Sequence, residues 1–144
     1  MQKTVTPKHA IHDDEIESCF DVISELRPHL ERSSFLATVK HQQSEGYELA
    51  YIAEQDKPVA VAGYRVLSNL HYGKYLYVDD LVTSANTRSK GLGKAMLIWL
   101  TDIATQEQCA VIHLDSGTQR AEAHKFYFRE GFNIASYHFA RLIS

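Results

Sequence analysis

The sequence predicts an α/β (α+β) fold: a mixed, mostly antiparallel sheet with a central parallel β-α-β unit and helices on both faces. Three observations carry that prediction. Residues 47–54 and 58–66 are two runs of β-formers parted by the turn chemistry of "EQDKP", which is a hairpin. Residues 74–116 run strand, helix, strand, and two strands joined through a helix lie parallel. Helical apolar spacing opens the chain and returns twice in its second half.

The elements follow in order. Asp13 and Asp14 can cap a helix carrying Ile16, Phe20, Ile23 and Leu26, which Pro28 stops. A second helix starts at Ser33 or Ser34, carries Phe35, Leu36 and Val39, and ends before Gly46. After the hairpin comes a polar break at Ser68-Asn69, a turn at Gly73, and the strand "KYLYVDDLVTS" over 74–84. Leu92, Ala95, Met96, Trp99, Leu100 and Ile103 form a helical stripe over 92–104. "CAVIHLDS" (109–116) is a short strand, 119–129 a helix ended by Gly131, and "FNIASYHFARLI" (132–143) one or two closing strands.

The 144 residues suffice for a single domain with a true core. A net charge of −3 gives no global pull toward nucleic acid, so any anion site must be local. The eight histidines are scattered and none pairs at zinc-motif spacing, so no metal is expected. Cys19 and Cys109 lie far apart in apolar segments and read as free thiols in a reducing compartment. The first residues, "MQKTVTPKHAIHDDE", hold no apolar signal region, and no run approaches the ~18 apolar residues of a membrane span. The expectation is a cytoplasmic protein.

"RSKGLGK" (88–94) sits between the third strand and its helix. A helix start exposes unpartnered N–H groups at the positive end of the peptide dipoles, and glycines let a ligand approach the backbone. Arg88, Lys90 and Lys94 add charge, so the stretch can seat a diphosphate or be simply a capped helix start. It lacks the Gly-Lys-Ser/Thr ending of a Walker loop and the third glycine of a dinucleotide fingerprint.

Arg88-x-x-Gly91-x-Gly93 resembles the Arg/Gln-x-x-Gly-x-Gly/Ala signature of the GNAT acyltransferases. Asp79-Asp80-Leu81-Val82 resembles the strand that precedes that signature, and Ala123-x-x-x-Tyr127-x-x-x-Gly131-Phe132 the helix that follows it. The three segments span 74–132, and the elements before them fit the same family. The resemblance implies acetyl-CoA as co-substrate, its pyrophosphate held by the backbone amides of Arg88, Ser89, Lys90, Gly91, Leu92, Gly93 and Lys94. It also implies that the strand splays from 109–116, so that Leu81, Val82 and Thr83 bind the pantetheine arm and polarise the acetyl carbonyl. Ala85 and Ser89 stand where the family often has Pro and Gly, without loss of a backbone donor. Arg120 replaces a common Asn near the pantetheine arm, as it does in proteins resembling aminoalkylphosphonate acetyltransferases, which gives a weak lean toward that branch.

Acetyl transfer to an amine needs a base for the ammonium and a proton for the departing thiolate. Strict alternation sends Asp79 and Asp80 to opposite faces, and either can be the base, since a carboxylate taken out of water beside another is a stronger one. The motif points to Asp79, a bulged strand would favour Asp80, and a purely structural pair is the plain alternative. Tyr127 matches the family's acid toward the CoA sulfur; otherwise it is a packed aromatic between Phe126 and Phe128. His113, His124 and His138 are lesser candidates. The expected activity is acetyl-CoA-dependent N-acetylation of a primary amine on a small molecule, with a homodimer compatible. A protein-lysine or N-terminal acetyltransferase and a non-catalytic acyl-CoA-binding module are the alternatives.

Overall fold

The computed structural model describes residues 6–87 and 90–144. It divides into two compact units, Met1–His113 and Leu114–Ser144. Strands β1 (Lys8–His9), β2 (Glu48–Glu54), β3 (Lys57–Asn69), β4 (Gly73–Thr83) and β5 (Val111–Leu114) lie in that order across one sheet, all but Leu114 within the first unit. The pairs β1–β2, β2–β3 and β3–β4 are antiparallel, while β5 is reached from β4 through helix α4 (Leu92–Gln106). Helices α1 (Asp13–Ser18), α2 (Phe20–Leu26) and α3 (Arg32–Ser44) precede the hairpin.

Local chemistry explains most boundaries. Gln55 and Asp56 both take positive φ, 51° and 65°, the two-residue turn whose twist matches a hairpin. At the other end of β3, Asn69 Oδ1 accepts the Tyr72 N–H at 2.7 Å and Gly73 turns at φ 75°. β3 therefore runs through Ser68 and Asn69, which the sequence marks as a break. The first helix is two: Cys19, fully buried, ends α1 with an N–H bond to Ile16 O and caps α2. The apolar spacing continues across that kink and conceals it. Burial pushes the Cys19 thiol up to about 12, and both cysteines are free. β1 escapes sequence reading because two residues carry no period. Its His9 meets Tyr64 Oη at 2.7 Å and packs on Trp99 of α4.

The sheet carries two apolar faces. One packs Ile16, Val22, Ile23, Phe35 and Val39 from the helices against Leu49, Val61 and Val82. The other lies under α4, where Tyr64 meets Trp99 edge-on. Val78 pairs with Tyr64 and Val82 with Val61, so these two β4 residues, four apart, face opposite sides. A perfect pleat would put them on the same side. The switch is a bulge: Tyr64 opposes Val78 and Gly63 opposes Asp80, leaving Asp79 as the extra residue.

The second unit holds α5 (Ala121–Arg129), closed by Gly131 at φ 90°. Phe132 N–H reaches Tyr127 O at 2.9 Å and Gly131 N–H reaches Phe128 O at 3.2 Å, the paired bonds of a glycine C-cap. The strands expected over 132–143 are not formed. Those residues have no regular structure, because strand-forming side chains make a strand only where a neighbour takes up the backbone groups.

Candidate active site

The bulge decides where the carboxylates go. Asp79 shares the parity of Tyr77 and Arg65, and Asp80, past the extra residue, shares that of Gly63 and Val82. Both side chains therefore line one cavity of about 300 Å3, with Arg27, Gln42, Glu45, Tyr47 and Arg65. The expectation of opposite faces is corrected: alternation assumes an unbroken pleat, and β4 is broken between these two residues.

Each carboxylate is held. Arg65 donates Nε and Nη2 to Asp79 at 2.9 and 2.8 Å, a bidentate pair that raises the arginine's own pKa. Arg27 donates Nε to Asp80 Oδ1 at 3.1 Å and Nη2 to the Asp79 carbonyl at 3.0 Å. Tyr47 Oη donates to Asp80 Oδ2 at 2.8 Å. Burial, and then the Asp80 charge, push the Tyr47 hydroxyl well up, so it serves as a donor. Its ring crosses the sheet at Gly63, where an added Cβ would fall 1.8 Å from Tyr47 Oη. Sequence reasoning missed Arg27, Tyr47, Gly63 and Arg65. The traces were a glycine inside a strand, which marks close approach, and an arginine in an otherwise apolar one.

A second cavity, also about 300 Å3, adjoins the first through Arg27, Gln42, Tyr47 and Asp80. Its remaining wall is mainly apolar, with Ile23, Leu30, Phe35, Val39 and Leu49.

Beyond the bulge, Leu81, Val82 and Thr83 pair with Ala62, Val61 and Ala60 on one edge. β5 starts beside the opposite end of β4, where Ala110 N–H reaches Lys74 O at 2.8 Å. Its His113 ring packs among Tyr72, Tyr75 and Tyr77, a setting that makes this histidine part of an aromatic cluster. Arg88 and Ser89 lie outside the described residues. Gly91 caps α4 in the left-handed region, φ 74°, and its carbonyl takes the first helical bond from Ala95 at 3.1 Å. The amides of Leu92, Gly93 and Lys94 precede that bond and are the donors a helix start leaves over. Lys90 Nζ is 3.3 Å from Glu54 Oε2.

In the second unit Tyr127 packs against Phe126 and Phe132. Burial raises its pKa, while the charge of Arg120 and a hydrogen bond to it pull the other way. A phenol so placed stays protonated and can donate. His124 Nε2 is occupied by Gly117 O at 2.7 Å, and His138 Nδ1 lies 3.6 Å from Asp115 Oδ1.

Residues 9–132 match the model of the Acetyltransferase (GNAT) family. The chain is 35% identical over 136 residues to a Bacillus subtilis protein described as "Uncharacterized N-acetyltransferase YhdJ", covering 93% of this chain and 96% of that one. It is 26% identical over 76 residues to the aminoalkylphosphonate N-acetyltransferase of Salmonella typhimurium, covering 52% and 49%. Among solved structures it superposes with a TM-score of 0.82 on AAC(6')-Iy, solved with the bisubstrate analogue CoA-S-monomethyl-acetylneamine, at 12% identity over 99% of this chain and all of that one.

Proposed function

We propose, from the premise that this chain belongs to the GNAT acetyltransferase family, that it moves the acetyl group of acetyl-CoA to the primary amine of a small molecule. Membership makes it an acyltransferase enzyme with acetyl-CoA as donor. The acceptor is our reading. The observation that carries it is the carboxylate pair at the β4 bulge, facing a cavity sized for a small molecule.

In this reading residues 1–144 act as one catalytic domain. The amides of the 88–94 stretch receive the pyrophosphate, their first-turn donors aimed along the α4 dipole. Leu81–Thr83 offer strand amides to the pantetheine arm and one N–H to the acetyl oxygen, where negative charge gathers as the amine adds. Asp80, which lines both cavities, takes the ammonium proton directly or through water, with Asp79 as its charged neighbour. The neutral amine then attacks the thioester carbonyl. As the tetrahedral adduct collapses, the C–S bond breaks, Tyr127 gives its proton to the thiolate, and the second proton leaving the nitrogen returns to the tyrosine through water. Arg120 steadies that hydroxyl and offers its remaining guanidinium donors to the cofactor.

The reducing cytoplasm suits the two free cysteines, and no helix of the described residues is long and apolar enough to cross a membrane. The test has two arms. Acetyl-CoA raises the melting temperature, by linkage to the folded state. Thiol is then released on adding amines from a panel of amino acids, polyamines, alkylamines, aminoglycosides and aminophosphonates. Release with lysine peptides alone would make it a protein acetyltransferase. A melting shift without release from any amine would leave an acyl-CoA-binding module.

A further inference from the structure

We infer that the acceptor is a monoamine with an apolar body, its ammonium at Asp80 and its carbon skeleton in the second cavity; this rests on the acetyl-transfer reading above. The two cavities share a wall of Arg27, Gln42, Tyr47 and Asp80 and differ sharply beyond it. The first adds Asp79, Arg65 and Glu45. The second adds Ile23, Leu30, Phe35, Val39 and Leu49, with only the exposed His29 and Thr38 as further polar groups. Asp80 is the one carboxylate that belongs to both.

That arrangement discriminates among amines by charge. Two guanidiniums face three carboxylates in the first cavity, so a single added positive charge completes the balance. A polyamine or aminoglycoside would press its second ammonium into the apolar wall, where no carboxylate besides Asp80 meets it and desolvation is unanswered. An aminophosphonate or amino acid would bring an anion to Arg27 and Arg65, whose charge Asp80 and Asp79 already answer at 2.8 to 3.1 Å. An alkyl or aryl group instead removes apolar surface from water on both sides.

Ethylamine, butylamine and hexylamine have nearly equal basicity and differ only in the body that the cavity would hold. With acetyl-CoA saturating, kcat/KM should rise about threefold to fourfold per methylene where each is buried, and at least about tenfold from ethylamine to hexylamine. Spermidine and 2-aminoethylphosphonate should trail hexylamine by at least about tenfold. Thr38 is exposed, so Thr38→Asp should fold; a carboxylate there should flatten the chain-length slope. A flat slope in the wild-type enzyme, or faster turnover of spermidine or 2-aminoethylphosphonate, overturns the assignment. If acetyl-CoA raises the melting temperature and one of those outruns hexylamine, the acceptor class alone falls. If acetyl-CoA gives no shift, acetyl transfer falls with it.

Discussion

At residue scale, Gly63 and Tyr127 make the sharpest claims. Gly63 exists to let Tyr47 pass: an added Cβ would meet Oη at 1.8 Å and the ring carbon Cζ at 2.3 Å. Gly63→Ala must therefore push Tyr47 off Asp80. It should cost about 1–3 kcal/mol in chemical unfolding, the usual range for overpacking a filled interior. Placed in a Tyr47→Ala background, the same substitution should cost far less, because nothing then occupies the space. An equal cost in both backgrounds would mean the glycine serves something other than the tyrosine. Tyr127→Phe keeps the ring between Phe126 and Phe132 and removes only the hydroxyl that Arg120 holds. Turnover should fall on the order of a hundredfold, as expected for losing a general acid, while the melting shift from acetyl-CoA stays. A lost shift with turnover unchanged would make Tyr127 a packing residue.

At the scale of elements, the α4 start separates a backbone cradle from a charge patch. Gly91 sits at φ 74° with open space where a Cβ would lie, so substitution there strains the backbone without a clash. Gly91→Val should weaken acetyl-CoA binding at least about tenfold by calorimetry. Gly91→Asn, which tolerates the left-handed region, should recover much of that. Lys90→Ala should change affinity by less than about threefold, since Lys90 is exposed and already beside Glu54. A worse lysine variant would sink the cradle. Elements ruled by local chemistry were legible in the sequence: the Gln55-Asp56 turn, the Gly91 start and the Gly131 stop. The β4 bulge was not, since it is a matter of register against β3 and leaves no mark in β4's own pattern of side chains. Hence the Asp79-Asp80 motif was readable as a pair while its shared direction was not, and Arg27 and Arg65, which hold it from distant segments, went unseen.

At the scale of the whole molecule, the same distinction between local and non-local information explains the tail. Residues 132–143 have the composition of strands, yet they have no regular structure, because pairing needs a partner. Ile134, Tyr137, Phe139, Leu142 and Ile143 are instead 68% to 93% exposed. Five large apolar side chains within ten residues are more than a solvated tail ordinarily carries, and such patches mark association surfaces. A second copy is the partner that supplies matching strand-forming residues, so we expect the 16.4 kDa chain to scatter light as a dimer at micromolar concentration. Phe139→Asp combined with Leu142→Asp should yield the monomer, since a charge on each apolar side chain penalises burial in the interface. Both positions are exposed, so the monomer should keep its fold and melt cooperatively. Binding of acetyl-CoA to that monomer then shows whether pairing matters only for covering the tail or also for activity. A wild-type chain that stays monomeric up to about 100 micromolar would overturn the dimer.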